Sequence, residues 1–151
     1  MANENNVVLR FDEVSFGYHQ DKLLLQDAGF SVRVGSRVTL MGQNGAGKSS
    51  LFRLITGEAK PLSGKVFRTP ENATVALGNQ VMPASALSLT VREYLAEVFP
   101  EVPYNLDKRI KDVFDIVGLS VPIEKKVQSL SGGQQARLLL AHALIGDPDI
   151  L

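Results

Sequence analysis

The chain has 151 residues, 44% of them apolar and 21% charged, and its sixteen basic side chains balance sixteen acidic ones. This composition is typical of one soluble globular domain and excludes a disordered chain. The balanced charge gives no electrostatic argument for a protein that binds nucleic acid or a membrane surface. Because cysteine is absent, disulfides, thiolate metal sites and a cysteine nucleophile are excluded. No apolar stretch reaches the roughly 18 residues that span a bilayer, and we expect a cytoplasmic protein.

The first half of the chain is predicted to be rich in strands. Apolar and alternating runs predict strands over residues 7–11, 14–18, 30–34, 38–41, 64–68 and 73–77. A glycine-rich stretch follows the run 38–41. After it, Leu51, Leu54 and Ile55 share one face of a predicted helix of about nine residues. Gly57 is expected to end that helix.

The pattern becomes helical from about Leu89. Helices are predicted over residues 91–99, 106–117 and 132–145. Thr90 and Ser131 are the expected N-caps of the first and last of these, and Gly118 is expected to end the middle one. Strands joined by crossover helices indicate an α/β fold, which a mostly helical middle interrupts.

The glycine-rich stretch carries a complete phosphate-binding motif. From Gly42 to Ser49 it reads G-Q-N-G-A-G-K-S, which fits G-x-x-x-x-G-K-[ST] at every fixed position. Glycines let the backbone curl so that successive N–H groups point at one phosphate, and the following helix adds the positive end of its dipole. Lys48 is expected to reach the β- and γ-phosphates, and Ser49 to ligate Mg²⁺. The motif predicts binding of a nucleoside triphosphate, the alternative being a glycine-rich turn that precedes a lysine by chance.

A second distinctive string, Leu-Ser-Gly-Gly-Gln, occupies residues 130–134. Taken alone, it predicts a loop that opens a helix, with Ser131 as a cap that binds no ligand. Together, the two strings resemble the ATP-binding cassette (ABC) family, whose signature motif is this pentapeptide. The resemblance extends from about Val7 to Leu151.

The resemblance implies an α/β fold: a P-loop NTPase core of ABC type with an antiparallel β subdomain and a helical subdomain, incomplete at its C-terminus. Residues 1–151 would form a single partial ATP-binding domain. Within it, 1–80 would be the β subdomain and phosphate-loop core, 81–129 the helical subdomain, and 130–151 the signature helix with the start of the Walker B strand.

The resemblance also implies the site residues, with ATP and Mg²⁺ as cofactors. Tyr18 lies where the family places the aromatic residue that stacks on adenine, with Phe16 as a rival. Lys48 and Gln80 are the implied catalytic residues, and Ser49 and Gln80 the implied metal ligands, Gln80 matching the glutamine of the Q-loop. The implied nucleotide contacts are Tyr18, Gly42, Asn44, Gly45, Ala46, Gly47, Lys48, Ser49, Ser50, Ser131, Gly132, Gly133 and Gln134.

In this family ATP lies between two cassettes arranged head to tail. Ser131, Gly133 and Gln134 would therefore contact ATP held by a second cassette. The family's catalytic Asp-Glu pair would follow Leu151 and is not among the 151 residues. The resemblance implies that this stretch alone binds Mg-ATP, hydrolyses it weakly or not at all, and leaves the sheet edge at 38–41 open. His142, where the family more often has arginine, is interpreted as a packing or surface residue.

Three kinds of cassette remain open. The first is a soluble ABC-F ATPase that acts on the ribosome. The second is the nucleotide-binding subunit of a membrane transporter, which partners transmembrane subunits. The third is a nucleotide-gated binding module without useful hydrolysis. Transporter cassettes usually insert a hairpin between the positions of Gly64 and Gln80, and the short interval here favours ABC-F.

Overall fold

The structure, a computed structural model, describes residues 6–18 and 22–151. The described residues form three β-strands and four α-helices. They divide into two compact units. The first contains the residues up to Val75 together with Ile150, and the second contains Ala76–Asp149 together with Leu151.

The first unit is built on an antiparallel sheet in which β1 is the central strand. β1 spans Val7–Phe16, β2 spans Leu25–Arg33 and β3 spans Ser63–Arg68. The two strands predicted within β1 are one strand. Its register with β2 shifts between Phe11 and Val14, and Glu13 adopts a φ of 49°. Such a bulge kinks a strand without ending it, and its polar pair Asp12-Glu13 resembled a break in the sequence.

One face of this sheet packs against the helix that follows the phosphate loop. That helix, α1, spans Lys48–Thr56, as predicted, and Gly57 ends it with a left-handed φ of 83°. Leu54 of α1 is 3% exposed and joins the core of the first unit. The core residues contributed by β1 are Val8, Leu9, Phe11, Val14 and Phe16.

Two predicted strands do not form among the described residues. The segment 38–41 has no strand structure, and Val38 and Met41 are 69% and 86% exposed. In the segment 73–77, Val75 forms an isolated parallel bridge with Ile150, whose N–H donates to the Thr74 carbonyl at 3.0 Å. Backbone N–H and C=O groups form a strand only where a second strand accepts and donates their hydrogen bonds, and the described part of the chain places none beside 38–41. An apolar run is therefore insufficient to make a strand.

The second unit is helical. α2 spans Val91–Ala96, α3 spans Leu106–Val117 and α4 spans Gly132–Leu144, with 3-10 turns at Ala84–Ser88 and Val127–Ser129. α3 has the predicted bounds, whereas α2 ends three residues before the predicted Phe99. Pro100 disfavours a helical residue before it, and the Phe99 N–H instead closes a turn on the Ala96 carbonyl at 3.1 Å. No helix in the described residues is long and apolar enough to cross a membrane.

The helices of the second unit enclose their own hydrophobic core. Its most deeply buried side chains come from all three helices and from the turn before α4; those at 0–1% exposure include Val91, Leu95, Ile110, Val127 and Leu138. Both α2 and α4 begin with a capping box, Thr90 with Glu93 and Ser131 with Gln134. Local caps and a shared core thus fix where these helices begin and how they pack.

Candidate functional site

The phosphate-binding motif forms a tightly curled loop around the ammonium group of Lys48. Gly45 and Gly47 have φ values of 84° and 88°, a left-handed conformation that a side chain makes unfavourable. The Ala46 N–H donates to the Gln43 carbonyl at 3.1 Å. The Lys48 Nζ donates to the carbonyl oxygens of Gly42 at 2.6 Å and Gln43 at 2.7 Å. The two ends of the motif are therefore joined by its own lysine.

The loop ends at the N-terminus of α1. The N-cap is Gly47, which has no side chain to accept a hydrogen bond from the first turn, and that turn holds no acidic residue. The free N–H groups and the positive end of the helix dipole therefore face the loop without a competing carboxylate. This arrangement favours an anion at the loop.

The structure places the two serines after Lys48 differently. Ser49 is exposed, and its hydroxyl lies at the start of α1. Ser50 is only 4% exposed, and its Oγ donates to the Tyr18 hydroxyl at 3.1 Å. Ser50, which was predicted to contact the nucleotide, thus has its hydroxyl engaged by an aromatic residue.

Tyr18 is held at the surface of the first unit by hydrogen bonds to α1. Its hydroxyl accepts from Ser50 and also from Arg53 Nη1 at 3.2 Å. The Ser50 hydrogen bond, with the nearby Arg53 charge, lowers the pKa of the Tyr18 phenol. The ring is 58% exposed, whereas Phe16 is 6% exposed and belongs to the core. Of the two aromatic residues, only Tyr18 therefore presents a face that a planar ligand could cover.

Arg53 is a site residue that no motif in the sequence indicates. It follows Ser50 by three positions on α1, a spacing that places both side chains on the same side of a helix. That spacing was the available signal. Their common partner, Tyr18, is far away in the sequence and could not be recognised without the fold.

The signature segment belongs to the second unit. The Ser131 Oγ accepts from the Gln134 N–H at 3.3 Å, and the Gln134 Oε1 accepts from the Ser131 N–H at 3.0 Å. A Cβ built on Gly132 or Gly133 would meet no atom of the described residues within 4 Å, and neither glycine has a positive φ. Nothing within the unit requires glycine at these two positions. Gln80, also in this unit, is exposed.

The predicted site residues therefore fall into two sets. The first unit brings the phosphate loop, Tyr18 and α1 together, and the second contains Gln80 and the signature segment. The described residues contain no cluster of three or more His, Cys, Asp or Glu side chains that could hold a metal ion. An exposed Ser49 hydroxyl still fits Mg²⁺, because this ion usually takes few protein ligands and keeps waters and substrate phosphates as the rest.

Comparison with known proteins identifies the family. A family model described as "ABC transporter" matches residues 25–151, which include both the phosphate loop and the signature segment. The chain belongs to the ABC transporter family. Its place in that family is an ATP-binding domain, so the resemblance seen in the sequence is confirmed.

The relatives of this ABC domain include an ATP-binding protein of an import system and a member of the F family. The zinc import ATP-binding protein ZnuC of Rickettsia bellii is 32% identical over 146 residues, covering 95% of this chain and 60% of that protein. The ABC transporter F family member 3 of Arabidopsis thaliana is 28% identical over 145 residues, covering 95% of this chain and 20% of that protein. The assignment to ABC-F consequently stays a prediction.

The fold is shared with solved ABC proteins. A putative metal-chelate type ABC transporter in an inward-facing conformation superposes with a TM-score of 0.78 at 23% identity, covering 94% of this chain and 57% of that chain. The predicted P-loop NTPase fold, with its antiparallel sheet and its helices, is confirmed. The chain spans 36% to 61% of the length of the first curated relatives that it matches.

Proposed function

We propose that this ABC domain binds Mg-ATP at the loop 42–49, and that the whole protein hydrolyses ATP against a second cassette. The observation that carries this proposal is the curled loop, with Lys48 Nζ held at 2.6 and 2.7 Å from the carbonyls of Gly42 and Gln43. The ammonium group of Lys48 is positively charged and has three N–H donors, and these two hydrogen bonds hold that charge at the loop that precedes α1.

Each part of the loop has a role in this proposal. The N–H groups of Asn44, Gly45, Ala46 and Gly47 and the first turn of α1 would surround the phosphates, and Lys48 would neutralise the β- and γ-phosphate oxygens. Ser49 would hold Mg²⁺, which when bound reduces the charge on the phosphates. These groups bind and orient the triphosphate, which is most of what phosphoryl transfer requires from a protein.

Tyr18 would receive the base of the nucleotide. Its ring is exposed on the surface of the first unit, where α1 also lies. Aromatic faces attract other planar rings through offset stacking. The burial of Phe16 supports Tyr18 over its rival for this role.

The signature segment would serve a second cassette, in the same chain or in a partner chain. Neither the φ angles nor the neighbours of Gly132 and Gly133 require glycine at these positions. This favours a requirement for glycine that comes from a partner outside the unit. Ser131, Gly133 and Gln134 would contact ATP bound to that cassette. ATP would then hold two cassettes together, and hydrolysis would weaken the contact.

We further propose that the whole protein is a cytoplasmic ABC-F ATPase acting on the ribosome. The short interval between Gly64 and Gln80 and the similarity to an F family member support this. The second candidate is the ATP-binding subunit of a transporter with transmembrane partners. The similarity to ZnuC at 32% identity supports this candidate.

The binding proposal is tested by Lys48→Ala. Loss of a charge-assisted phosphate contact should weaken Mg-ATP binding by about 2 kcal/mol or more, roughly 30-fold, in isothermal titration calorimetry. Lys60→Ala, which removes an exposed lysine after α1, is the matched control and should bind normally. An unchanged affinity in Lys48→Ala would refute the assignment of this loop.

A further inference from the structure

The hydroxyl of Tyr18 receives two hydrogen bonds from one helix. Ser50 Oγ donates at 3.1 Å and Arg53 Nη1 donates at 3.2 Å. Both donors belong to α1, the helix whose first turn ends the phosphate loop. The aromatic ring is thus tied to the same element that positions the phosphate-binding groups.

We propose that Arg53, with Ser50, is a positioning residue that fixes the ring of Tyr18 for the base of the nucleotide. This inference rests on the proposed function. In this arrangement α1 positions the phosphate-binding groups and also the ring that receives the base, the latter through a side chain outside the phosphate-binding motif. Arg53 itself contacts Tyr18 and acts on the ligand only through that ring.

The need for such positioning follows from the exposure of Tyr18. Its ring is 58% exposed, and its aromatic neighbour is Phe16, in an edge-on contact with ring centroids 5.4 Å apart and planes inclined by 75°. An exposed side chain held on one edge retains rotamer freedom, which a ligand must remove when it binds. Hydrogen bonds that restrict the ring beforehand reduce that loss, and affinity for the base rises accordingly.

The two donors contribute differently. Ser50 is 4% exposed, so its hydroxyl requires a partner, and the bond to Tyr18 supplies one. Arg53 is exposed, so its hydrogen bond competes with water, but its guanidinium charge strengthens the bond to the phenol oxygen. The lowered pKa of Tyr18 has these same two side chains as its causes, the Ser50 hydrogen bond first.

The experiment compares two ligands that differ in the base. Affinities for Mg-ATP and for Mg-tripolyphosphate, which carries phosphates alone, are measured for the protein, Arg53→Gln and Arg53→Lys. Arg53→Gln should weaken Mg-ATP binding roughly threefold to tenfold and leave tripolyphosphate binding unchanged. Arg53→Lys, which keeps a cationic donor, should recover part of the loss. Arg37→Gln, at another exposed arginine of the first unit, is the matched control.

Two further measurements separate positioning from a general structural effect. Tyr18→Phe and the double variant Tyr18→Phe/Arg53→Gln should bind Mg-ATP equally, because Arg53 acts only through the phenol. Titration of phenolate absorbance should show a higher pKa for Tyr18 in Arg53→Gln, the Tyr18 signal being identified by its loss in Tyr18→Phe.

The outcomes are distinguishable. Unchanged Mg-ATP affinity in Arg53→Gln would overturn the inference and leave the proposed function standing. Equal losses for Mg-ATP and tripolyphosphate would also overturn it, because the variant would then have disturbed the phosphate loop. If the unaltered protein bound neither ligand, the proposed function would fail, and this inference with it.

Discussion

The ring of Tyr94 stacks on the imidazole of His142, with centroids 4.4 Å apart and planes inclined by 21°. The contact joins α2 to α4 within the second unit. Tyr94 is 2% exposed and His142 is half-buried. The interpretation of His142 as a packing residue is therefore confirmed. Burial lowers the pKa of His142, and the nearby Glu97 carboxylate opposes that shift.

We expect the second unit to become less stable in mild acid, because the stacked His142 imidazole is half-buried. The folded state keeps the imidazole neutral, whereas in the unfolded chain it takes up a proton below about pH 6.5. The contribution to stability is therefore fully present above that pH and is lost as the pH falls through the lower folded pKa. Urea unfolding followed by helical circular dichroism, between about pH 8 and about pH 5, should show this decline.

The variant His142→Phe tests the cause of the decline. It keeps an aromatic ring against Tyr94 and removes the titrating group, so the pH dependence of stability in this window should become shallower. Nuclear magnetic resonance titration of the imidazole should place its midpoint below the ordinary value. A decline of the same size in His142→Phe would show that another group is responsible.

Gly64→Ala should strongly destabilise the first unit. Gly64 has a φ of 75°, and a Cβ there would fall against the carbonyl oxygens of Asp12 and Glu13, at the bulge of β1. Both the backbone strain and the clash must be relieved, so we expect a loss of about 3 kcal/mol or more in the free energy of unfolding. Gly57→Ala is the matched control, because its φ is 83° but a Cβ there meets no atom within 4 Å in the part of the chain that the structure describes.

That control should lose only about 1–2 kcal/mol, the strain of a left-handed alanine. Denaturant unfolding of the two variants side by side gives the comparison. Equal losses of stability in the two variants would show that the close approach of β1 and β3 does not itself require glycine at position 64.

The parts of the fold that the sequence predicts well are those decided by neighbours in the chain. The bounds of α3 follow from its apolar stripe and from Gly118, which ends it with a φ of 64°. The N-caps at Thr90 and Ser131 are likewise local. Strand pairing depends instead on residues far apart in the chain. The segment 38–41 has a strand-like pattern, but nothing in that pattern specifies a partner strand.

The same distinction holds for the site. The motif predicts a curled loop followed by a helix, and both features are local: Gly45 and Gly47 are left-handed and α1 begins at Lys48. The hydrogen bond between Arg53 and Tyr18 joins residues 35 positions apart. It depends on β1 packing beside α1, which no local pattern encodes.

Gly133→Ala separates the folding of the second unit from its proposed contact with another cassette. A Cβ at Gly133 meets none of the described atoms within 4 Å, and alanine favours a helix more than glycine does. The free energy of unfolding should therefore stay unchanged or rise by up to about 1 kcal/mol.

If the signature segment approaches ATP bound to a second cassette, the added methyl group should obstruct that approach. ATP-dependent association and ATP hydrolysis by the whole protein should then fall, while Mg-ATP binding at the loop 42–49 is retained. Normal association and hydrolysis would show that glycine is not needed here for a contact with ATP, and the assignment of Gly133 to a shared site would be wrong.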